Sequence, residues 1–116
     1  MCHVLVIEDD WLIACDVANV AERAGGTSIA MAATQYDAVA KARAEPPGII
    51  LSDVLLREGT GPLAVVSIIA EQGPIPVIFI TGTPEMCSPC GPPHLILEKP
   101  IDERALMKAF ADMAPV

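Results

Sequence analysis

The sequence predicts an α/β fold, a doubly wound parallel sheet of five strands with helices on both faces. Three observations predict it. Short apolar runs alternate with longer amphipathic stretches along the chain, Gly or Pro punctuates several junctions, and acidic, hydroxyl and basic residues recur just past the ends of the apolar runs.

The elements follow in order. His3–Ile7 is a short run rich in branched side chains, which predicts a buried strand. Asp10 to Ala24 repeats apolar residues at Ile13, Val17, Val20 and Ala24, the spacing of a helix, with Asp10 as its N-cap. Gly25-Gly26 stops that helix, because glycine enters the left-handed region without a Cβ clash. Ser28–Ala32 reads as a weak second strand. Thr34 caps the next helix, with Asp37 three residues on in a variant of the capping box, and Pro46-Pro47 closes it. Ile49–Ser52 is a third strand with Asp53 at its end. After a loop over Arg57–Gly61, Thr60 caps a helix through Gln72, with Pro62 tolerated in its first turn. Gly73-Pro74 breaks it. Pro76–Ile80 and Leu95–Leu97 are strands four and five, and Asp102 caps a last helix whose Leu106, Phe110 and Met113 share a face. Gly82–His94 holds four of the eleven prolines, so the fourth helix, between strands four and five, is expected to be short or irregular.

A chain of 116 residues that is 53% apolar can bury a core and is expected to form one domain over residues 1–116. Seven basic residues against fifteen acidic ones leave a charge of -8, which disfavours nucleic acid and anionic membrane surfaces as partners. No apolar run approaches the roughly 18 residues of a membrane span. The N-terminus meets acid at Glu8 without a basic region before it, unlike a signal peptide, so a cytoplasmic protein is expected. Cys2, Cys15, Cys87 and Cys90 then read as reduced thiols.

In a parallel sheet the strand C-termini share one edge, where sites form. That edge collects Glu8, Asp9 and Asp10 after strand one, Asp53 at strand three, Thr81 after strand four and Lys99-Pro100 after strand five. Carboxylates from two strands repel unless a cation joins them, and oxygen-only ligands suit Mg2+. Lys99 and the Thr81 hydroxyl can hold an oxyanion beside that cation.

Taken singly, each residue has a plainer reading: an N-cap, a turn residue, a lone loop Thr or Lys. The ordered set is specific. Val4–Asp9, Ile50–Val54, Ile80-Thr81-Gly82 and Glu98-Lys99-Pro100 together resemble the receiver domain of two-component response regulators over residues 3 to 114, a flavodoxin-like sandwich. The resemblance implies that Glu8 and Asp9 bind Mg2+, one of them through water, and that Leu55 lends the metal a backbone carbonyl. It implies that Asp53 takes a phosphoryl group from a phosphohistidine and also touches the metal, and that Thr81 swings in to bind the phosphoryl group. Lys99 would pair with a phosphoryl oxygen, its bond to Pro100 typically being cis, and the small Gly82 would leave the group accessible. The protein would be no enzyme beyond catalysing its own phosphorylation and dephosphorylation.

Three departures from the family pattern stand out. Ile96 occupies the position three before the lysine where an aromatic switch residue is usual. The segment from Thr81 to Lys99 is short and proline-rich, similar to receivers of general-stress regulators in alphaproteobacteria with a non-standard fourth-helix region. Leu55 is apolar where a polar residue often positions the hydrolytic water, which predicts slow autodephosphorylation. With no output module after the last helix and a start at Met1, a stand-alone receiver is expected. Its donor would be a sensor histidine kinase or histidine phosphotransferase, and its output an unidentified protein; a homodimer stays open. The alternatives are a thiol-redox or metal-binding protein using the C-x-x-C spacing of Cys87 and Cys90, for which His94 and Cys2 are poor additional ligands, and a pseudo-receiver that binds a partner without phosphorylation. Trp11 is expected to pack at the helix start and to report metal binding by fluorescence.

Overall fold

The strands that read as unbroken apolar runs are apolar because both of their faces are covered. In the computed structural model, which describes residues 2–86 and 94–115, five parallel strands form one sheet in the order β2-β1-β3-β4-β5. The strands are β1 (His3–Ile7), β2 (Ser28–Ala32), β3 (Ile49–Ser52), β4 (Val77–Thr81) and β5 (Leu95–Glu98). The helices are α1 (Trp11–Arg23), α2 (Gln35–Ala44), α3 (Gly61–Gln72) and α4 (Glu103–Met113). This is the doubly wound α/β sandwich the alternation predicts, of the flavodoxin-like kind the resemblance implies.

Side chains in a strand alternate between faces, so each central strand feeds two cores. Leu5, Ile7, Ile50, Val77 and Phe79 pack under α2 and α3 against Ala38, Ala42, Ala64, Val65 and Ile68. Val4, Val6, Ile49, Leu51, Ile78 and Ile80 pack under α1 and α4 against Ala14, Val17, Val20, Leu106 and Phe110. Small alanines on α2 let that helix lie close to the sheet. β5 is an edge strand, with Leu95 and Ile96 partly exposed.

Among the described residues, all four α-helices start on the residue whose side chain was read as the cap. Asp10 accepts from the Leu12 and Ile13 amides, Thr34 from Asp37, Thr60 from Leu63, and Asp102 from Arg104 and Ala105. The capping box at Thr34 is only half made: the Asp37 carboxylate pairs instead with Lys41, one turn on, at 3.0 Å. Gly25 takes φ +117° past the end of α1, as the Gly-Gly stop requires.

Strand four lies one residue later than its apolar run suggests. Pro76 has no N–H to give the ladder, and only its carbonyl takes part, accepting from the Ile50 amide. Of the proline-rich segment, Pro84–Met86 forms a single 3-10 turn. Cys87 and Cys90 lie outside the described residues, while Cys2 and Cys15 are free thiols. Trp11 does not pack at the helix start. It is 66% exposed, with its neighbour Leu12 exposed too, because the apolar stripe by which α1 packs on the sheet begins only at Ile13 and Ala14. Among the described residues no helix is long and apolar enough to cross a membrane.

Candidate functional site at the strand ends

The main chain places the site before any side chain acts. Three of its residues extend the parallel ladder by one step: the Glu8 amide donates to the Ala32 carbonyl (2.9 Å), the Asp53 amide to Ile7 (2.8 Å) and the Lys99 amide to Thr81 (2.8 Å). Residues from three strands thus converge on one rim. The Lys99–Pro100 bond is cis.

Glu8, Asp9 and Asp53 each offer a carboxylate oxygen, and these oxygens lie within 4.8 Å of one another. Like charges so close repel by about 3 kcal/mol per pair at an effective dielectric near 20. One ammonium answers them: Lys99 Nζ lies 2.9 Å from Glu8 Oε1 and 3.0 Å from Asp53 Oδ2. The Val54 amide donates to Asp53 Oδ1 at 2.7 Å and the Asp10 amide to Glu8 Oε2 at 3.2 Å.

Burial dominates the titration of Glu8. Glu8 is 6% exposed, and desolvation pushes its pKa up to about 7 against the pull of Lys99 and the Asp10 amide, with the Asp53 charge adding to the rise. Burial works against the charged form of Lys99 as well, but hydrogen bonds to Glu8 and Asp53 outweigh it and hold the ammonium above its ordinary pKa. When all three carboxyls are ionised, the one ammonium leaves two negative charges, which one divalent ion would cancel. The donor set is all oxygen, so it fits Mg2+.

Each residue expected at the site is at this edge. Thr81 is buried, and its hydroxyl is held within its own loop, accepting from the Thr83 amide at 3.0 Å with the Thr83 hydroxyl at 3.2 Å. Gly82 is exposed, with open space where a Cβ would stand. Leu55 turns its side chain outward, 42% exposed, between the buried Val54 and the half-buried Leu56. Asp10 acts as a cap, and its side-chain bonds run to Leu12 and Ile13. His94 sets its ring edge-on against Phe79, with centroids 5.9 Å apart, and its partial burial lowers its pKa.

Three residues that shape this edge escaped the reading of the sequence. Gly61 stands where a Cβ would fall 1.8 Å from the Asp53 carbonyl oxygen; a glycine wedged between a cap and a proline is a signal that could have found it. Thr83 could have been suspected from its spacing to Thr81, since hydroxyls often accept from an amide two residues on. Gln35 carries no local signal, because its partners are 23 and 25 residues away, at Glu58 and Thr60.

The comparisons with known proteins agree with this geometry. Residues 4–111 match the family described as the response regulator receiver domain. The phyllosphere-induced regulator PhyR of Methylorubrum extorquens is 39% identical over 84 residues, covering 72% of this chain and 32% of that protein. The chain therefore spans about a third of the length of that curated relative. The REC domain of the Erythrobacter litoralis PhyR response regulator superposes with a TM-score of 0.86 at 31% identity, covering 99% of this chain and 95% of that one. The anti-anti-sigma factor PhyR from Bartonella quintana gives 0.80 at 30%, covering 97% and 46% respectively. With the fold, the strand-end cluster and these relatives in agreement, the chain belongs to the response regulator receiver domain family.

Proposed function

We propose that this chain works as a single receiver domain over residues 1–116, taking a phosphoryl group on Asp53 from a sensor histidine kinase or a histidine phosphotransferase. It passes the signal on by binding another protein in the cytoplasm. The observation that carries this reading is the Lys99 ammonium shared between Glu8 and Asp53 within a cluster of three carboxylates. A structural salt bridge needs one acid, whereas this site gathers charge that only a bound cation and a transferring group would use.

Glu8, Asp9, Asp53 and the Leu55 carbonyl would hold Mg2+. When bound, the ion offsets the charge of the carboxylates and of the incoming phosphoryl oxygens. An Asp53 carboxylate oxygen attacks phosphorus, the P–N bond to the donor imidazole breaks, and the bond electrons leave with the imidazole. Lys99 moves its ammonium from the carboxylates to a phosphoryl oxygen, a shift of a charge already in place. Thr81 gives up its bonds to Thr83 and donates its hydroxyl to the same group, so the loop after β4 changes shape with the charge on Asp53. The PhyR of Bartonella quintana is described as an anti-anti-sigma factor, so a protein of transcription control is the partner class to try first.

The test is intact-protein mass spectrometry after incubation with a small acyl phosphate, with and without Mg2+, beside Asp53→Asn. A single Mg2+-dependent adduct absent from the variant is expected. A folded protein that binds Mg2+ and takes phosphate only from a histidine donor would keep the reading. A folded protein that neither binds Mg2+ nor forms an adduct with any donor would overturn it in favour of a pseudo-receiver.

A further inference from the structure

Leu55 and Thr60 face each other across the short loop between β3 and α3 as an antiparallel pair. The bonds that flank them run from the Gly61 amide to the Val54 carbonyl (2.9 Å) and from the Leu56 amide to the Gly59 carbonyl (3.3 Å). In such a non-hydrogen-bonded pair the polar groups of both residues point out of the ladder. The Leu55 carbonyl is thereby left free to serve something outside the loop. The Thr60 amide is left needing a partner, because an unpaired main-chain donor next to the core is costly.

That partner is Gln35, the first residue of α2. Its Oε1 accepts from the Thr60 amide at 3.0 Å, and its own amide donates to the Glu58 carbonyl at 3.1 Å. Between these two bonds the chain crosses Gln35 so closely that a Cβ on Gly59 would lie 2.3 Å from Oε1 and 2.5 Å from the Gln35 Cβ, and Gly59 takes φ +83°. The loop is thus fastened at its base to Gly61 and at its tip to a side chain from a different βα unit.

We propose that Gln35 is a positioning residue for the metal site: by gripping Thr60 and Glu58 it sets the twist of the Leu55–Thr60 pair and so the aim of the Leu55 carbonyl. The inference rests on the reading of Leu55 as a metal ligand. Gln35 itself touches none of the acids; it acts through the loop. Loosening the grip leaves the carboxylates in place and blunts one ligand, so affinity falls without the site being lost.

The test titrates Mg2+ against the full chain, followed by Trp11 fluorescence and by calorimetry at physiological salt, where surface charge is screened. Gln35→Met and Gln35→Ala remove the acceptor, Gln35→Glu keeps an oxygen in its place, and Asp9→Asn is the control for a lost ligand. The acceptor-lacking variants are expected to bind Mg2+ roughly tenfold more weakly, as for other groups that orient metal ligands, and Gln35→Glu to stay within twofold of the parent. If neither acceptor-lacking variant folds, Gln35→Asn, one methylene shorter, is expected to show the same loss. Parent-like affinity in folded variants, with Asp9→Asn weakened, would overturn the role of Gln35 and leave the metal site standing. Equal weakening in Gln35→Glu would overturn it too, since the acceptor oxygen would then be irrelevant. A parent protein with no saturable Mg2+ binding would overturn the metal site and this inference together.

Discussion

Gly61→Ala sets two principles against each other beside Asp53, the proposed phosphoacceptor. On helix propensity alone, alanine in the first turn of α3 would stabilise the chain by up to about 1 kcal/mol. The structure predicts the opposite. A Cβ at Gly61 would lie 1.8 Å from the Asp53 carbonyl oxygen and 2.2 Å from Ser52 Oγ. Ordinary contact needs about 3.5 Å, so the Asp53 peptide and α3 must part by roughly 1.5 Å. Neither yields easily: Gly61 donates to the Val54 carbonyl, Asp53 donates to Ile7, and Ser52 Oγ donates to the Asp53 carbonyl. Overpacking of this kind costs about 1–3 kcal/mol. Taking the upper end, because the clash is with backbone, and subtracting the propensity gain leaves a loss of about 2 kcal/mol. For a chain of this length that is a drop in Tm of about 8 °C. Moving the acceptor by more than 1 Å should also slow phosphorylation on the order of 100-fold. Thermal melts and the mass-spectrometric time course read the two effects separately. Gly82→Ala is the internal control, since a Cβ there meets nothing within 4 Å, and its Tm should barely move. An unchanged or raised Tm in Gly61→Ala, with phosphorylation at the parent rate, would refute the steric reasoning.

Burial, charge and exposure at the same site give further expected outcomes. Burial raises the Glu8 pKa to about 7, above its unfolded value near 4.5, so the neutral carboxyl favours the fold and its ionisation opposes it. In chelator-treated protein that contribution is complete below about pH 4.5 and is lost as pH rises through 7, so the Tm should climb between pH 8 and pH 5.5. A flat or falling profile over that range contradicts the burial argument. Lys99→Met removes the only cation within reach of Glu8 and Asp53 among the described residues; stability at pH 8 should fall and recover in part at pH 5.5, while Mg2+ still binds. Loss of Mg2+ binding in that variant would mean that Lys99 holds the carboxylates in place rather than balancing them. Leu55, exposed and apolar, gives no hydrogen bond to an attacking water, so the phosphoryl group should outlast a few seconds. Leu55→Asn, by offering the attacking water one hydrogen bond, should shorten its lifetime up to about tenfold, and a parent lifetime of seconds would remove the basis for that expectation.

What could be read from the sequence divides along the range of the physics. Caps are local chemistry, and Asp10, Thr34, Thr60 and Asp102 each declare a helix start within three residues of themselves. Strands buried on both faces declare themselves as apolar runs, and the rule that sites form past their C-termini carried Glu8, Asp9, Asp53, Thr81 and Lys99 to one edge. Interactions that depend on where the chain returns were out of reach. The pairing of Lys99 with Glu8 spans 91 residues, and the grip of Gln35 on Thr60 spans 25. The exposure of Trp11 also depends on packing, since nothing in its neighbours says that the first turn of α1 stays out of the core.

The main-chain bonds that carry Glu8, Asp53 and Lys99 one step past their strands have a consequence for how such a protein can be rewired. The chemical centre hangs on the stagger of the strands and on amides that every residue type supplies. The outward faces of the helices, where Leu12, Tyr36, Leu63 and Val66 meet solvent, make none of those bonds. On the proposed function, which partner delivers the signal and which one hears it could therefore be rewritten residue by residue on those faces, with the acids, threonine and lysine at the strand ends left untouched.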